Sequence, residues 1–332
     1  MKLQHKFGLL LSSLSLFSFI SSAEAEPKVV TSIKPIHSLV SYVMDGVGRP
    51  DLLVDGSSSP HTFQLKPSHA TMLQEADIVF WIGEDLESFL ETPLDSIAAN
   101  AKRVTLMDSD QIELLKFREK NVFDDHHDDH DDHDEHEDHA DGHDEHDEHD
   151  EHDEHEGHDD HGHHHGEHDI HFWLDPEIAK TIVSIASEEL SAIDPANKSI
   201  YSSNAANAIN DLDQLIDNTR SKINSDATYI VFHDAYQYFE QRFGIEVIGA
   251  LTVNPEVLPG AKQLAEIREV IEHESVNCLF SEPQFNPSIA ETIASDTGIK
   301  SAVLDPLGAE LEPGKDLYFD LIGDMASSFE NC

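Results

Sequence analysis

Residues 196–224 read ANKSIYSSNAANAINDLDQLIDNTRSKIN, and this stretch contains neither proline nor glycine. Its pattern predicts one continuous helix, because branched apolar side chains recur at helical spacing. A helix of that length rises about 43 Å at 1.5 Å per residue. Most of its other residues are polar, so we interpret it as a rigid connection between two domains. A long helix that lies on one domain is the alternative.

Short β-rich runs alternate with helical patterns on both sides of this helix. We predict strands at 29–33, 51–54, 78–82, 104–107, 229–232, 246–248, 278–280 and 302–304. Such alternation is typical of a parallel sheet covered by helices. The predicted fold class is therefore α/β, with two lobes of βα repeats joined by one long rigid helix. Ligands of such folds bind beyond the carboxyl ends of the strands, so the cleft between the lobes is the expected site.

The N-terminal residues have the organisation of a secretory signal peptide. Lys2 and Lys6 precede an apolar run at 7–20, and Ala23 and Ala25 form an A-x-A cleavage site. The run is too short to span a bilayer, which takes roughly 20 residues, and no cysteine follows it for a lipid anchor. We expect a soluble periplasmic protein. The expected boundaries are 1–25 for the signal peptide, 26–194 for the N-terminal lobe, 195–225 for the linker helix and 226–332 for the C-terminal lobe.

The tract 124–169 carries 17 histidines and 24 Asp or Glu residues, with no Lys or Arg. Neutral imidazole is the commonest side-chain ligand for zinc, copper and nickel, and carboxylates add oxygen ligands and a field that gathers cations. The tract cannot bury a core, so we expect it to be disordered without metal and to act as a low-affinity zinc collector. A dispensable acidic spacer is the alternative. The formal net charge of −47 disfavours nucleic acid and anionic membranes as partners.

The chain has two cysteines, Cys278 and Cys332. In an oxidising compartment an isolated pair of thiols most economically forms one disulfide. This bond would attach the C-terminus to a core strand. Metal ligation by the two thiols is the competing interpretation, although no CxxC spacing supports it.

Seven histidines lie outside the tract, and three of them stand at strand or loop ends. His61 follows a strand and a turn, His171 stands where the tract ends, and His233 ends the strand YIVF. Histidines contributed by both lobes are what a metal cleft between lobes requires. The spacing alone also fits solvated or hydrogen-bonded structural histidines. We expect such roles for His37, His69 and His273, while His5 belongs to the signal peptide.

Six segments of the mature chain resemble the periplasmic zinc-binding proteins of high-affinity zinc uptake ABC transporters. They are SPHTFQLKPSHATMLQEADIVFWIG (59–83), HFWLDPEIAK (171–180), VFHDAYQYFEQRFG (231–244), LTVNPEVLPGAKQL (251–264), FSEPQFNP (280–287) and LDPLGAEL (304–311). The resemblance spans essentially the whole mature chain, and the His-rich insertion occupies its usual place. It implies a non-enzymatic role, in which the protein captures Zn²⁺ and presents it to a membrane permease.

The same resemblance implies His61, His171 and His233 as zinc ligands. An all-nitrogen trio favours zinc over manganese, although copper, nickel and cobalt would also bind. Some relatives have Glu before the first histidine, where this chain has Pro60. Asp305 corresponds to a carboxylate ligand of the wider family and could complete a tetrahedron directly or through water; capping of the following turn is its alternative role.

Other residues are candidates for supporting roles. Metal-bound histidines usually donate their second N–H to a carboxylate or carbonyl, so Asp234, Glu256 and Glu282 are candidate partners of the ligands. Turn or helix-cap roles remain open for all three. Trp81 and Trp173 are expected in the core.

Two other functions fit three histidines around an open position. Catalytic zinc sites have this form, but no HExxH, nucleophile elbow or P-loop is present, and we expect no enzyme. A periplasmic zinc buffer is the other alternative, with the tract as its functional part. We expect a monomer without a membrane anchor.

Overall fold

A computed structural model of the chain describes residues 26–118, 166–223, 227–252, 255 and 257–332. The predicted signal peptide and residues 124–165 of the His-rich tract lie outside the described residues. None of the helices in the described part of the chain is both long and apolar enough to cross a membrane.

The first half forms a four-stranded sheet in which every neighbouring pair of strands is parallel. Its elements are β1 (Val29–Ile33), α1 (Lys34–Val43), β2 (Asp51–Val54), α2 (Pro67–Glu75), β3 (Ile78–Trp81), α3 (Ser88–Ser96) and β4 (Lys102–Thr105). The strand order is β2-β1-β3-β4. The central strands β1 and β3 are buried along their whole length, as expected for a parallel sheet covered on both faces.

Two long helices follow the described end of the tract. Pro176 opens α4 (Pro176–Ile193), and the side chain of Asp175 caps it by accepting the N–H of Glu177. After Asp194 a short 3₁₀ turn, Pro195–Asn197, separates α4 from α5 (Lys198–Lys222). The long helix therefore begins two residues later than predicted and has 25 residues.

The second half repeats the plan of the first. Its elements are β5 (Thr228–His233), α6 (Gln237–Phe243), β6 (Glu246–Thr252), α7 (Ala261–His273), β7 (Cys278–Ser281), α8 (Ser288–Thr297), β8 (Lys300–Val303) and α9 (Leu317–Asn331). The order is β6-β5-β7-β8, again parallel throughout. The first strand of each half thus occupies the same place in its sheet, which confirms the predicted α/β class with two βα-repeat lobes.

The edge strands differ most from prediction. β4 begins at Lys102 and β8 at Lys300, each two residues before the predicted start. Charged residues are tolerated on an edge strand because one side faces solvent. β4 ends at Thr105 and β8 at Val303, before the predicted ends at 107 and 304, and the edge strand β6 continues to Thr252, four residues beyond its predicted end.

The two halves share one large apolar core, and the second half has a smaller apolar cluster of its own that includes Ile230 and Leu279. The buried face of α5 packs on α4 and α1 of the first half and on α9 of the second, and one continuous apolar cluster runs from Val29 to Phe329. A disulfide joins Cys278 of β7 to Cys332, with Cα atoms 5.8 Å apart. This confirms the predicted pairing.

Candidate metal centre

Three histidines distant in sequence converge where the two halves meet. His61, His171 and His233 each offer a ring nitrogen, and these atoms all lie within 4.8 Å of one another. The Nε2 atoms of His171 and His233 are 3.4 Å apart. The structure therefore brings together the three histidines that the sequence singled out.

His233 is the last residue of β5, at the carboxyl end of a central strand. Glu282 directly follows β7, the neighbour of β5, and its Oε1 lies 2.7 Å from Nδ1 of His233. Both residues are buried. Burial opposes the charged imidazole, but the Glu282 carboxylate outweighs it and raises the pKa of His233 above its ordinary value.

His171 directly precedes the 3₁₀ turn Phe172–Leu174 that leads into α4. Its backbone N–H donates to Oδ1 of Asp169 at 2.9 Å, and its Nδ1 lies 2.8 Å from the same oxygen. Asp169 is 1% exposed. The sequence analysis placed this residue at the end of the tract and gave it no role. Its spacing, two residues before a candidate ligand histidine, was the available signal.

His61 comes from the loop after β2, in the 3₁₀ turn Pro60–Thr62. Ser59 caps this turn by accepting the N–H of His61 at 3.3 Å. Its ring centroid lies 5.9 Å from those of His171 and His233. His61 is half-buried, whereas the other two histidines are buried.

The carboxylates of Asp169 and Glu282 determine which ring nitrogens of His171 and His233 carry a proton and which can bind a metal. A carboxylate only accepts hydrogen bonds, so Nδ1 of His171 and Nδ1 of His233 carry the protons when the rings are neutral. Both Nε2 atoms then present lone pairs to each other across 3.4 Å. A tetrahedral zinc ion with Zn–N distances of roughly 2.05 Å requires ligand nitrogens about 3.3–3.4 Å apart. The pair is therefore spaced to hold a cation.

The described segments on either side of residues 119–165 pair with each other beside this site. Residues 115–118 and 167–169 run antiparallel, with a bridge between Lys116 and His168. Tyr238 of α6 holds this ladder: its hydroxyl accepts the N–H of Leu115 at 2.8 Å and donates to the carbonyl of Asp169 at 2.7 Å. The ladder therefore ends two residues before His171.

Asp305 does not join the histidine group within the described residues. Its carboxylate accepts the backbone N–H groups of Leu307, Gly308 and Ala309 at 3.1, 3.0 and 2.5 Å. It also accepts a bond from the amide of Gln284 at 2.8 Å. These contacts are those of a turn-capping residue. Direct zinc ligation by Asp305 stays a prediction.

The remaining candidates have separate roles. Asp234 forms an ion pair with Arg118 at 3.0 Å, and its pKa is raised by burial against the opposing charge of Arg118. Glu256 lies outside the described residues. His37 is buried and His273 is exposed. Other expected structural residues are also packed or hydrogen-bonded: His69 stacks on Phe63, Trp81 donates to Thr105, and Trp173 donates to the carbonyl of Pro306.

Comparison with known proteins adds an independent finding. The family model described as "Zinc-uptake complex component A periplasmic" matches residues 29–332. A high-affinity zinc uptake system protein ZnuA from Brucella abortus (strain 2308) is 46% identical over 329 residues, covering 98% of each chain. Its counterpart in Haemophilus influenzae (strain ATCC 51907 / DSM 11121 / KW20 / Rd) is 40% identical over 341 residues, again covering 98% of each chain.

Solved structures agree on the fold. A crystal structure of ZnuA matches with a TM-score of 0.72 at 22% identity, covering 92% of this chain and 99% of that one. A ZnuA deletion mutant with zinc bound matches with a TM-score of 0.70 at 21% identity, covering 92% and 98%.

Proposed function

The chain belongs to the family of periplasmic zinc-uptake complex A components, which are solute-binding transport proteins, and we propose that it captures Zn²⁺ with His61, His171 and His233. The protein is a zinc-binding component of high-affinity zinc uptake, as its relatives are named. The ion is its cargo, held between the two lobes.

The observation that carries the ligand assignment is the pair of Nε2 atoms 3.4 Å apart. Two neutral imidazoles oriented in this way repel through their lone pairs unless a proton or a metal ion lies between them, and the nearby third nitrogen, that of His61, favours a metal ion. Asp169 and Glu282 strengthen the case, because carboxylates behind metal-binding imidazoles fix the ring orientation and raise ligand basicity. His61 supplies the third nitrogen from the first lobe.

The fourth position is proposed to hold water. Asp305 does not join the histidine group among the described residues, and its carboxylate caps its own turn by accepting four N–H groups, three on Oδ1 and one on Oδ2. Direct ligation by Asp305 is the competing form of the same proposal.

The His-rich tract is proposed as an auxiliary zinc collector that passes ions to the cleft. Its support is the antiparallel ladder at 115–118 and 167–169, which attaches the tract directly before His171. We further propose export by the signal peptide at 1–25, a monomeric state and delivery of the ion to an inner-membrane permease.

A hydrolase reading would use a zinc-bound water, which needs a general base within reach. The two buried carboxylates beside the histidines, Asp169 and Glu282, accept from Nδ1 atoms, which fits a role in orienting ligands. A buffer would depend on the tract alone. Replacing 119–165 by a short Gly-Ser linker separates the cases: a buffer loses its function, whereas an uptake component keeps one tight site.

Zinc titration calorimetry on the mature protein tests the ligand assignment. The triple variant His61→Ala, His171→Ala, His233→Ala should lose one tight site and retain the weak sites of the tract. His273→Ala, which removes an exposed histidine of α7, is the matched control and should titrate like the native protein. Survival of the tight site in the triple variant would show that the ligands lie elsewhere.

A further inference from the structure

Lys34 is a buried lysine that connects the two halves. It is the first residue of α1, directly after β1, and is 3% exposed. Its ammonium group donates to the backbone carbonyls of Gly308, Ala309 and Leu311 at 3.0, 2.9 and 2.9 Å. Since an ammonium group has three N–H donors, the second half of the chain satisfies all of them. Asp55 adds a carboxylate at 3.4 Å.

The loop 305–311 that receives Lys34 is organised by charge on both sides. The Asp305 carboxylate binds the N–H groups of residues 307–309, and the Lys34 ammonium binds carbonyls of residues 308–311. Gly308 has φ +68°, a left-handed conformation that glycine adopts without strain. The N–H groups of this loop are therefore neutralised by a negative charge, that of Asp305, and its carbonyl groups by a positive charge, that of Lys34.

The same loop forms a wall of the metal centre. Pro306 and Leu307 line the chamber with the three histidines. Trp173 donates its indole N–H to the carbonyl of Pro306 at 2.9 Å, and its ring centroid lies 5.3 Å from that of His171. A displacement of the loop would therefore reach the surroundings of His171 and His233.

The two lobes use the same topological position for different purposes. β1 and β5 hold equivalent places in sheets of identical order. The carboxyl end of β5 carries the candidate ligand His233, and the carboxyl end of β1 is followed by Lys34. At this position the second lobe thus has a candidate metal ligand, and the first lobe has a lysine that binds the other lobe.

We propose that Lys34 is a positioning residue that clamps loop 305–311 of the second lobe over the metal centre and thereby slows zinc release. This inference rests on the proposed function. The Lys315–Asp45 ion pair at 2.7 Å also joins the halves, but it is exposed, and exposed pairs contribute little. Lys34 differs because its removal leaves three carbonyls without their donor in a buried setting.

Stopped-flow release of zinc to a chelator tests the clamp in the mature, full-length protein. Lys34→Met keeps the length of the side chain and removes its donors. We expect calorimetry to show that Lys34→Met keeps one tight site. We expect its zinc dissociation rate to be on the order of tenfold faster than the native rate, which corresponds to ~1.4 kcal/mol. Lys315→Met is the control and should stay within about twofold of the native rate. An unchanged release rate in Lys34→Met, even with a lower melting temperature, would overturn the proposal.

A second measurement, hydrogen exchange, begins with the native protein. Coupling between two sites is reciprocal, so zinc binding should slow hydrogen exchange at the amides of residues 307–309 in the native protein. Equal exchange with and without zinc would overturn the clamp. A native protein without any tight site would instead refute the proposed function. In that case, faster exchange of these amides in zinc-free Lys34→Met than in zinc-free native protein would still support the contact between Lys34 and the loop.

Discussion

Nδ1 of His233 lies 2.7 Å from Oε1 of Glu282, and the two residues stand at the carboxyl ends of neighbouring strands. The strand order places β5 beside β7, although 49 residues separate the pair in sequence. The parallel sheet therefore places the candidate ligand His233 beside the carboxylate that holds the proton on its Nδ1.

Glu282→Gln should weaken zinc binding by about tenfold, because loss of a carboxylate behind a ligand imidazole lowers its basicity. Competition titration with a chromophoric chelator measures the change. Glu310→Gln removes an exposed carboxylate from loop 305–311 and should bind zinc as the native protein does. Equal affinities of Glu282→Gln and native protein would contradict this role.

Asp169→Asn should also weaken zinc binding about tenfold, since Asp169 holds both the backbone N–H and Nδ1 of His171. The same titration applies, with Asp110→Asn as the control at an exposed aspartate. A loss confined to the weak tract sites would show that Asp169 serves the tract rather than His171.

Removal of the disulfide by Cys278→Ser with Cys332→Ser should lower the free energy of unfolding by about 4 kcal/mol. The bond closes a loop with a sequence separation of 54, and the chain-entropy model gives this magnitude for such a loop. Urea unfolding of the double variant and of native protein with and without reductant measures it. A variant as stable as the oxidised native protein would contradict the prediction.

His37 should make the fold sensitive to acid. Burial lowers its pKa to about 4, although its bond to the carbonyl of Pro50 opposes this. In the unfolded chain His37 has an ordinary pKa near 6.5 and takes up the proton first. The contribution of His37 to the free energy of unfolding is therefore fully present above pH ~6.5 and is lost as pH falls toward 4. The loss amounts to about 3 kcal/mol.

Urea unfolding at pH 7 and pH 4.5 should show a smaller loss in His37→Gln than in native protein. His273→Gln, at an exposed site, should follow the native protein. Parallel losses in His37→Gln and native protein would exclude His37 as the source.

Glu87 should have the opposite effect at higher pH. Burial raises its pKa to about 7, offset in part by the nearby Ser32 hydroxyl and by hydrogen bonds from the N–H groups of Gly83 and Ile82. The folded state retains the proton, so the contribution is present below pH ~4.5 and is lost as pH rises through 7.

Glu87→Gln should therefore be more stable than native protein at pH 8, by up to about 3 kcal/mol, and similar to it at pH 4.5. Thermal unfolding at the two pH values measures the difference. Glu91→Gln, at an exposed position of α3, the helix that directly follows Glu87, is the control. A stability difference that does not vary with pH would contradict a buried titrating carboxyl.

Sequence patterns predicted the features that depend on local order. The buried strands β1 and β3 were marked by continuous apolar runs, and the alternation of strands with helices gave the parallel class. The beginnings of β4 and β8 were missed because Lys102 and Lys300 carry no apolar signal. The disulfide was predictable because the chain offers just two thiols.

The candidate site was predictable to a smaller extent. The three histidines could be named from motifs, but the carboxylate partner of His171 was hidden among the many acids of the tract. Lys34 could not be recognised, since its contact with Gly308 spans 274 residues and a lysine after a strand has no distinctive pattern. The turn contacts of Asp305 likewise depend on backbone geometry, which residue types alone do not specify.

The last helix carries a consequence for how the protein can be divided. α9 belongs to the second half in sequence, yet it packs on α1 and α5, and the N–H of Tyr318 donates to Ser38 at 2.9 Å. Removing either half would strip an apolar surface from the other. We therefore expect the two halves to fold as one unit, and a half exchanged between relatives must bring complementary surfaces for α1 and α9 with it.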